Sequence, residues 1–218
     1  MSAAGAQKTG RLRLPGVRAP KPLLSPEALR RLSPRQLELL DELEAQLLRG
    51  GLAELTMAQI AARMGCSLRT LYGIAPSKDE LLLSVIDRRL RRIGRAAIEA
   101  LDASLPPLDA LRVYLRTAHE AVQPQAAAML ADLGGVAGAG RLFDAHEAYL
   151  TAVTQSLLES ALQTGEIPQV DTAAVAHVLG GLGREFAQPE VAELAHASPK
   201  ETADAISELI LQGLLATR

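Results

Sequence analysis

Four times along the chain a Ser or Thr stands three residues ahead of a Glu or Gln, at Ser33-Pro34-Arg35-Gln36, Thr56-Met57-Ala58-Gln59, Ser77-Lys78-Asp79-Glu80 and Ser198-Pro199-Lys200-Glu201. In this pattern the hydroxyl accepts the third N–H of a helix and the longer side chain returns to the cap's own N–H, so each fixes a helix start. Pro34 sits where a first helical turn needs no N–H. Leu37, Leu40, Leu43, Leu47 and Leu48 follow at helical spacing, and Gly50-Gly51 stops the run. The second cap leads into Ile60, Ala61 and Met64. The third leads into Leu81, Leu82, Val85 and Ile86, in a helix expected to end near Arg95. Its basic tail, Arg88-Arg89-Leu90-Arg91-Arg92, would then face the negative end of the helix dipole. Further helices are expected near 107–122, 125–133, 141–164, 171–187 and 199–216, punctuated by Pro124, Gly134-Gly135, Gly165 to Pro168 and Pro189. No stretch alternates apolar and polar residues as a half-buried strand does, and no repeat of 20–50 residues is present. The expected class is all-α.

The 48% of apolar residues in the 218 excludes a disordered or fibrous chain. A lone cysteine, Cys66, excludes an intramolecular disulfide and a Cys-based zinc site, and fits a reducing compartment. It reads as a small buried apolar group. No apolar run reaches the roughly 18 residues that cross a bilayer. The first 24 residues are rich in Gly, Pro and basic groups and read as a mobile arm, followed by a short helix opened by Ser25-Pro26-Glu27. Pro15, Pro20 and Pro22 break this arm and no apolar segment follows it, so it is not read as a secretory signal. The expectation is a soluble cytoplasmic protein without a membrane partner.

The net charge of -2 conceals an asymmetry: 17 Lys and Arg against 9 Asp and Glu up to Arg95, then 6 against 16. A basic front half points to a polyanionic partner. The same half holds two helices joined by a tight turn, Met57 through Pro76. Ile60, Met64, Cys66, Leu71 and Ile74 are its inward positions, and Ala61 is small where the helices cross. Gly65 falls where the turn needs positive φ, and Ser67 caps the second helix. This is a helix-turn-helix, whose second helix enters a DNA major groove.

The run Leu55-Thr56-Met57, Ile60-Ala61, Met64-Gly65-Cys66-Ser67, Thr70-Leu71-Tyr72 and then Ser77-Lys78-Asp79-Glu80-Leu81-Leu82 resembles the DNA-binding domain of TetR-type transcriptional regulators. The resemblance spans roughly residues 34–90. It implies a three-helix N-terminal DNA-binding domain followed by a larger helical ligand-binding and dimerisation domain. The implied division is an arm with a short helix at 1–32, the helix-turn-helix domain at 33–80 and the rear domain at 81–218. The resemblance places Thr56, Ser67, Leu68, Arg69, Thr70, Tyr72, Gly73 and Lys78 at the DNA. Arg69 opens the recognition helix and can read a base edge. Leu68 can meet a thymine methyl, and the Thr70 and Tyr72 hydroxyls suit phosphate oxygens. Lys78, in a first turn where a cation opposes the dipole, suits a phosphate. The run Gly73-Ile74-Ala75 departs from the family, which has a bulky residue first and Phe last. Gly73 removes a side chain that could reach DNA, and Ala75 leaves space for another side chain to fill. Arg11, Arg13, Arg18 and Lys21 of the arm are candidates for the minor groove or for phosphates.

A single helix-turn-helix reads few base pairs, so a homodimer on a palindrome is expected. Helices 171–187 and 199–216, with small residues beside Leu and Ile stripes, are the candidate dimer surfaces. The middle helices are expected to enclose a small-molecule pocket from Leu111, Tyr114, Leu115, His119, Met129, Leu133, Phe143, His146, Tyr149 and Val153. Gly134 to Gly140 is a candidate hinge or portal. No metal or cofactor is expected. His119-Glu120 and His146-Glu147 lack the second His of a zincin helix, and no Walker loop or nucleophile elbow is present. The expected function is a ligand-responsive DNA-binding regulator, a repressor released by a small molecule, and not an enzyme. The alternatives are a helical enzyme or an interaction module that retains a helix-turn-helix.

Overall fold

The computed structural model describes residues 14–122, 129–130 and 132–216. Among them are helices and turns and no strand, which is the expected all-α class. In chain order the helices are α1 (Pro26–Arg31), α2 (Pro34–Leu47), α3 (Met57–Arg63), α4 (Leu68–Tyr72), α5 (Lys78–Glu99), α6 (Pro107–Ala118), α7 (Ala139–Gln163), α8 (Thr172–Phe186), α9 (Pro189–Ala192) and α10 (Pro199–Ala216). A single 3-10 turn, His119–Val122, continues α6. Of the helix expected over 125–133, residues 129, 130, 132 and 133 are helical, and the rest lie outside the described residues.

The caps set these starts. Ser33 with Gln36 and Thr56 with Gln59 make both bonds of the capping box. Ser198 N–H donates to Glu201 Oε2 at 2.9 Å, and Glu201 N–H returns to Ser198 Oγ at 3.3 Å. At Ser77 the hydroxyl half is present, Oγ accepting Glu80 N–H at 3.2 Å.

Two apolar cores are strung on α5. The front core joins Leu39, Leu40 and Leu43 of α2 to Ile60 of α3, Leu71 of α4, and Leu81, Leu82, Val85 and Ile86 of α5. It continues past residue 80 to take in Met129, Leu133, Val136, Ala139 and Leu142. The rear core joins Ala97 of α5 to Leu111, Tyr114 and Leu115 of α6, Val153, Leu157 and Leu158 of α7, Leu179 of α8 and Leu211 of α10.

Three expectations need correction. First, α5 runs to Glu99, so Arg88 to Arg92 lie in mid-helix and not at its negative end. What holds them is the acidic face of α2. Arg88 Nη1 lies 2.5 Å from Asp41, while Arg89 and Arg92 converge on Glu44 at 3.2 and 2.6 Å. The basic excess of the front half is therefore partly consumed inside the fold. Second, residues 14–24 form a strap packed along α5. Leu14 and Val17 pack on the rear core and Leu24 on the front one. Leu23 N–H donates to Asp87 Oδ2 at 2.9 Å, and Arg91 donates to the Pro20 carbonyl. A helix of α5's length is about 33 Å, and about ten extended residues cover that distance. Arg18 and Lys21 remain exposed on the strap, while Lys8, Arg11 and Arg13 lie outside the described residues. Third, two glycines assigned to a dimer surface face inward. A Cβ on Gly180 would overlap the Thr151 side chain and lie 3.3 Å from its Cα, so Gly180 allows α8 to cross close over α7. Gly183 faces Val122 and His119.

Candidate nucleic-acid interface and ligand cavity

The turn between α3 and α4 follows from Gly65. Its φ of +60° lets Cys66 N–H reach Ala61 O at 3.0 Å and Gly65 N–H reach Ala62 O at 3.2 Å, a Schellman closure of α3. Ser67 then caps α4, accepting Thr70 N–H at 3.1 Å. Leu71 is the buried anchor of α4. Burial pushes the half-buried Cys66 thiol up from its usual pKa, which suits the apolar role expected of it.

With Leu71 turned in, the rest of α4 is left outside. Ser67, Leu68, Arg69, Tyr72 and Gly73 are exposed, and Thr70 is half-buried with its hydroxyl 2.8 Å from Ser67 Oγ. Leu68 and Tyr72 are 42% and 52% exposed, so the core makes no use of either side chain. Thr56 is exposed at the start of α3. Lys78 differs from expectation. It is half-buried, and its ammonium donates to the Ala53 carbonyl, tying the start of α5 to the loop before α3. Gly73 has a structural reason as well: a Cβ there would come 2.5 Å from Gln36 Nε2, which donates to Thr70 O at 3.2 Å. Gln36 thus caps α2 and holds α4, a role that its place in a capping box did not reveal.

A cavity of about 130 Å³ opens in the rear half. Six of the ten expected residues line it: Tyr114, His119, Met129, Phe143, His146 and Tyr149. Leu111, Leu115 and Val153 are instead packed in the rear core and Leu133 in the front core. The periodicity marks an apolar side chain without saying which neighbouring helix it meets. The remaining wall comes from Leu90, Ile93 and Gly94 of α5, Ala118, Ala121 and Val122 after Tyr114, Leu130, Glu147 and Leu150, and Gly180, Gly183 and Arg184 of α8. The small residues of α8 were the available signal.

The polar groups of this wall are few. His119 is 2% exposed, with Nδ1 2.7 Å from Asp204 Oδ1. Asp204 Oδ2 accepts from Lys200 at 2.6 Å. Burial holds the His119 pKa below its usual value against the pull of Asp204. His119 Nε2 is buried with no hydrogen-bond partner among the described residues. His146 Nε2 lies 2.9 Å from Asp87 Oδ1. Arg184 is held by Asp144 at 2.6 Å and by Glu147 at 3.1 Å. Among the described residues no group of three or more His, Cys, Asp or Glu could hold a metal ion, and no helix is long and apolar enough to cross a membrane.

One short segment connects the cavity to the loop before α3. Met129 and Leu130 line the cavity. Asp132, beside them, accepts Leu52 N–H at 2.9 Å and Ala53 N–H at 3.2 Å. Ala53 is the residue whose carbonyl takes Lys78.

Residues 39–85 match the family model described as bacterial regulatory proteins, tetR family. No curated protein matches in sequence. Solved structures share the fold. A protein assigned as a transcriptional regulator in Pseudomonas aeruginosa PAO1 superposes with a TM-score of 0.67 at 21% identity, over 86% of this chain and 94% of its own. A TetR-family transcriptional regulator from Agrobacterium tumefaciens gives 0.64 at 17%, over 83% and 97%. AibR, solved with isovaleryl coenzyme A and operator DNA, gives 0.59 at 18%, over 80% and 97%. Residues 39–85 thus carry the tetR-family helix-turn-helix, and the chain around them has the fold of these solved regulators.

Proposed function

We propose that this regulator is a homodimeric repressor that binds a palindromic operator and releases it when a small molecule enters the rear cavity. The carrying observation is the segment around Asp132, which lines the cavity on one side and holds the loop before α3 on the other. A ligand that displaces Met129 and Leu130 moves the anchor of Leu52 and Ala53, and with it the helix-turn-helix. It shifts the DNA-binding equilibrium by its differential affinity for the two arrangements. AibR, which has this fold, was solved with both a small molecule and operator DNA, which supports the reading.

In this reading residues 33–80 are the DNA-reading part, and residues 81–218 bind ligand and form the dimer. Arg69 reads a base edge, Leu68 meets a thymine methyl, and Thr70, Tyr72 and the remaining Lys78 protons meet phosphates, with Thr56, Ser67 and Gly73 lining the approach. The dimer uses Val178 of α8 and Leu209 and Leu215 of α10, which are 51%, 64% and 38% exposed. Two recognition helices then lie about 34–36 Å apart, one DNA turn. The protein acts where the DNA is, in the cytoplasm.

Selection of bound genomic fragments tests this directly. A shared palindrome and a light-scattering mass of twice 23.1 kDa are expected. A monomer, or binding with no sequence preference, overturns it.

A further inference from the structure

The strap is pinned at both ends and lightly held between them. At its rear end Leu14-Pro15-Gly16-Val17 form a turn, with Gly16 at φ +78° and Val17 N–H donating to Leu14 O at 3.4 Å. Leu14 and Val17 pack on the rear core. At its front end Leu24 packs on the front core, and Ser25 caps α1. Arg18, Ala19 and Lys21 between them are exposed. Among the described residues two hydrogen bonds hold this middle part. Arg91 donates to the Pro20 carbonyl, and Leu23 N–H donates to Asp87 Oδ2 at 2.9 Å. Pro20 and Pro22 have no N–H to add. Their fixed φ restricts the segment when it is off its seat, so less freedom is lost on returning. Such a segment opens at lower cost than the whole fold.

Beneath the strap lies one border of the cavity. Ala19 and Pro20 line a groove of about 190 Å³ against α5 and α7. This groove and the cavity of about 130 Å³ share Leu90, Gly94, His146 and Tyr149. A Cβ on Gly94 would lie 3.7 Å from the Tyr149 ring, so that ring rests on the bare backbone of α5 where the two spaces meet. Burial raises the Tyr149 pKa and the Arg91 charge pulls it back, so the guanidinium that holds the strap is within electrostatic reach of the same tyrosine. His146 is tied to the strap as well, through Asp87, whose Oδ1 lies 2.9 Å from Nε2 while Oδ2 takes Leu23. A second groove borders the cavity at Leu130, Phe143 and Arg184 and is the competing route. There Arg184 is tied to Asp144 and Glu147. We propose that residues 18–22 are a lid on the cavity: a ligand enters and leaves beneath the lifted strap, past Tyr149, and the strap reseats through Pro20 and Leu23. This rests on the reading of the cavity as the effector site, and names its entrance.

The test times entry into the cavity. In the full chain carrying Cys66→Ala, the substitution Ile93→Cys puts a single thiol in the cavity wall, and its modification by methyl methanethiosulfonate is followed. Removal of residues 1–24 should speed the reaction by at least about ten-fold, and Arg91→Ala by about three- to ten-fold, the worth of one lost hydrogen bond. Arg95→Ala trims the same groove and leaves both strap bonds in place. It should change the rate by less than about two-fold, as should removal of residues 1–13 and Arg184→Ala at the second groove. Low concentrations of urea separate local opening from global unfolding, since only the second accelerates steeply with urea. If removal of residues 1–24 unfolds the chain, Arg91→Ala against Arg95→Ala decides. An unchanged rate in Arg91→Ala, equal acceleration by Arg95→Ala, acceleration by Arg184→Ala alone, labelling that follows global unfolding, or no reaction in any variant overturns the proposal. Operator binding is scored separately. A protein that finds its palindrome but reacts independently of the strap loses the lid and keeps the repressor reading. One whose strap gates the reaction but that binds no palindrome loses the repressor reading.

Discussion

His146 and Asp87 meet across the cavity wall, Nε2 to Oδ1 at 2.9 Å, and the other oxygen of Asp87 takes the Leu23 amide at 2.9 Å. One buried carboxylate, 2% exposed, thus joins α7, α5 and the strap. Asp87→Ala leaves the Leu23 N–H and the His146 ring without it. We expect a loss of about 2–4 kcal/mol in urea unfolding, with Asp87→Asn less affected. Amide exchange at Leu23 should quicken in the Ala variant. Unchanged unfolding and unchanged exchange would show that the junction carries no weight.

His119 gives the fold a dependence on pH. Its folded-state pKa is depressed, chiefly by burial, with Lys200 adding to the depression and Asp204 opposing it. The stability it confers as a neutral ring is complete above its unfolded pKa of about 6.5, and is lost as pH falls through the lower folded value. Unfolding free energies between about pH 8 and pH 5 should therefore decline toward the acid end. They should decline less in His119→Phe. A variant whose profile parallels that of the unaltered protein removes His119 as the cause.

The helices were legible in the sequence because their ends are written locally. Ser33, Thr56 and Ser198 sit three residues from their partners, and Gly65 needs only its own backbone angle. The exposed face of α4 was legible for the same reason, since Leu68 and Tyr72, four residues apart, share one side of the helix and the buried Leu71 is turned away from it. What depends on long-range packing was not. Gln36 reaches Thr70, Lys78 reaches Ala53, and Asp132 reaches Leu52, contacts separated by 34, 25 and 80 residues. The cavity was half legible. Phe143 and His146 face it, but Leu111 and Val153 have the same periodicity and lie in the core, and no local pattern separates the two.

The strap changes what truncation should do. Removing residues 1–13 takes away Lys8, Arg11 and Arg13 and leaves the packed segment intact. If these side chains meet phosphates, the slope of log affinity against log salt should become shallower by about 0.9 per contact, with stability unchanged. Removing residues 1–24 also strips Leu14, Val17, Leu23 and Leu24 from α5, and should lower the melting temperature. An unchanged slope in the shorter deletion means that the first residues do not touch DNA. An unchanged melting temperature in the longer one means that the strap does not brace α5.

Asp132 offers a way to separate sensing from binding. Asp132→Ala frees Leu52 N–H and Ala53 N–H while leaving Met129, Leu130 and α4 in place. Ligand affinity should stay within about two-fold, while the ligand's effect on operator affinity should fall by about 1 kcal/mol or more. Equal coupling in both proteins would place the connection elsewhere.

Arg69 and Lys78 separate base reading from backbone holding, and the structure changes what each should show. Arg69 is exposed on α4 with Leu71 turned inward beneath it, so its guanidinium is free to pair with a guanine edge through two bonds. Arg69→Ala should cost about 1–3 kcal/mol on the operator and relax preference at one base pair per half-site, with the melting temperature unchanged. Lys78 has two tasks, because its ammonium already donates to Ala53 and has further protons to offer a phosphate. Lys78→Ala should weaken operator and random duplex alike and lower the salt slope by about one contact per subunit. It should also lower stability by about 1 kcal/mol through the freed carbonyl. Titration of each variant against operator, single-base variants and random duplex at several salt concentrations, beside thermal unfolding, reads all of these. If Arg69→Ala weakens every sequence equally, Arg69 is a backbone contact and base reading falls to Leu68 and Thr70. If Lys78→Ala loses stability but no salt slope, the lysine is a tether and not a phosphate contact. If both variants bind as the unaltered protein does, the exposed face of α4 is not the surface that meets DNA.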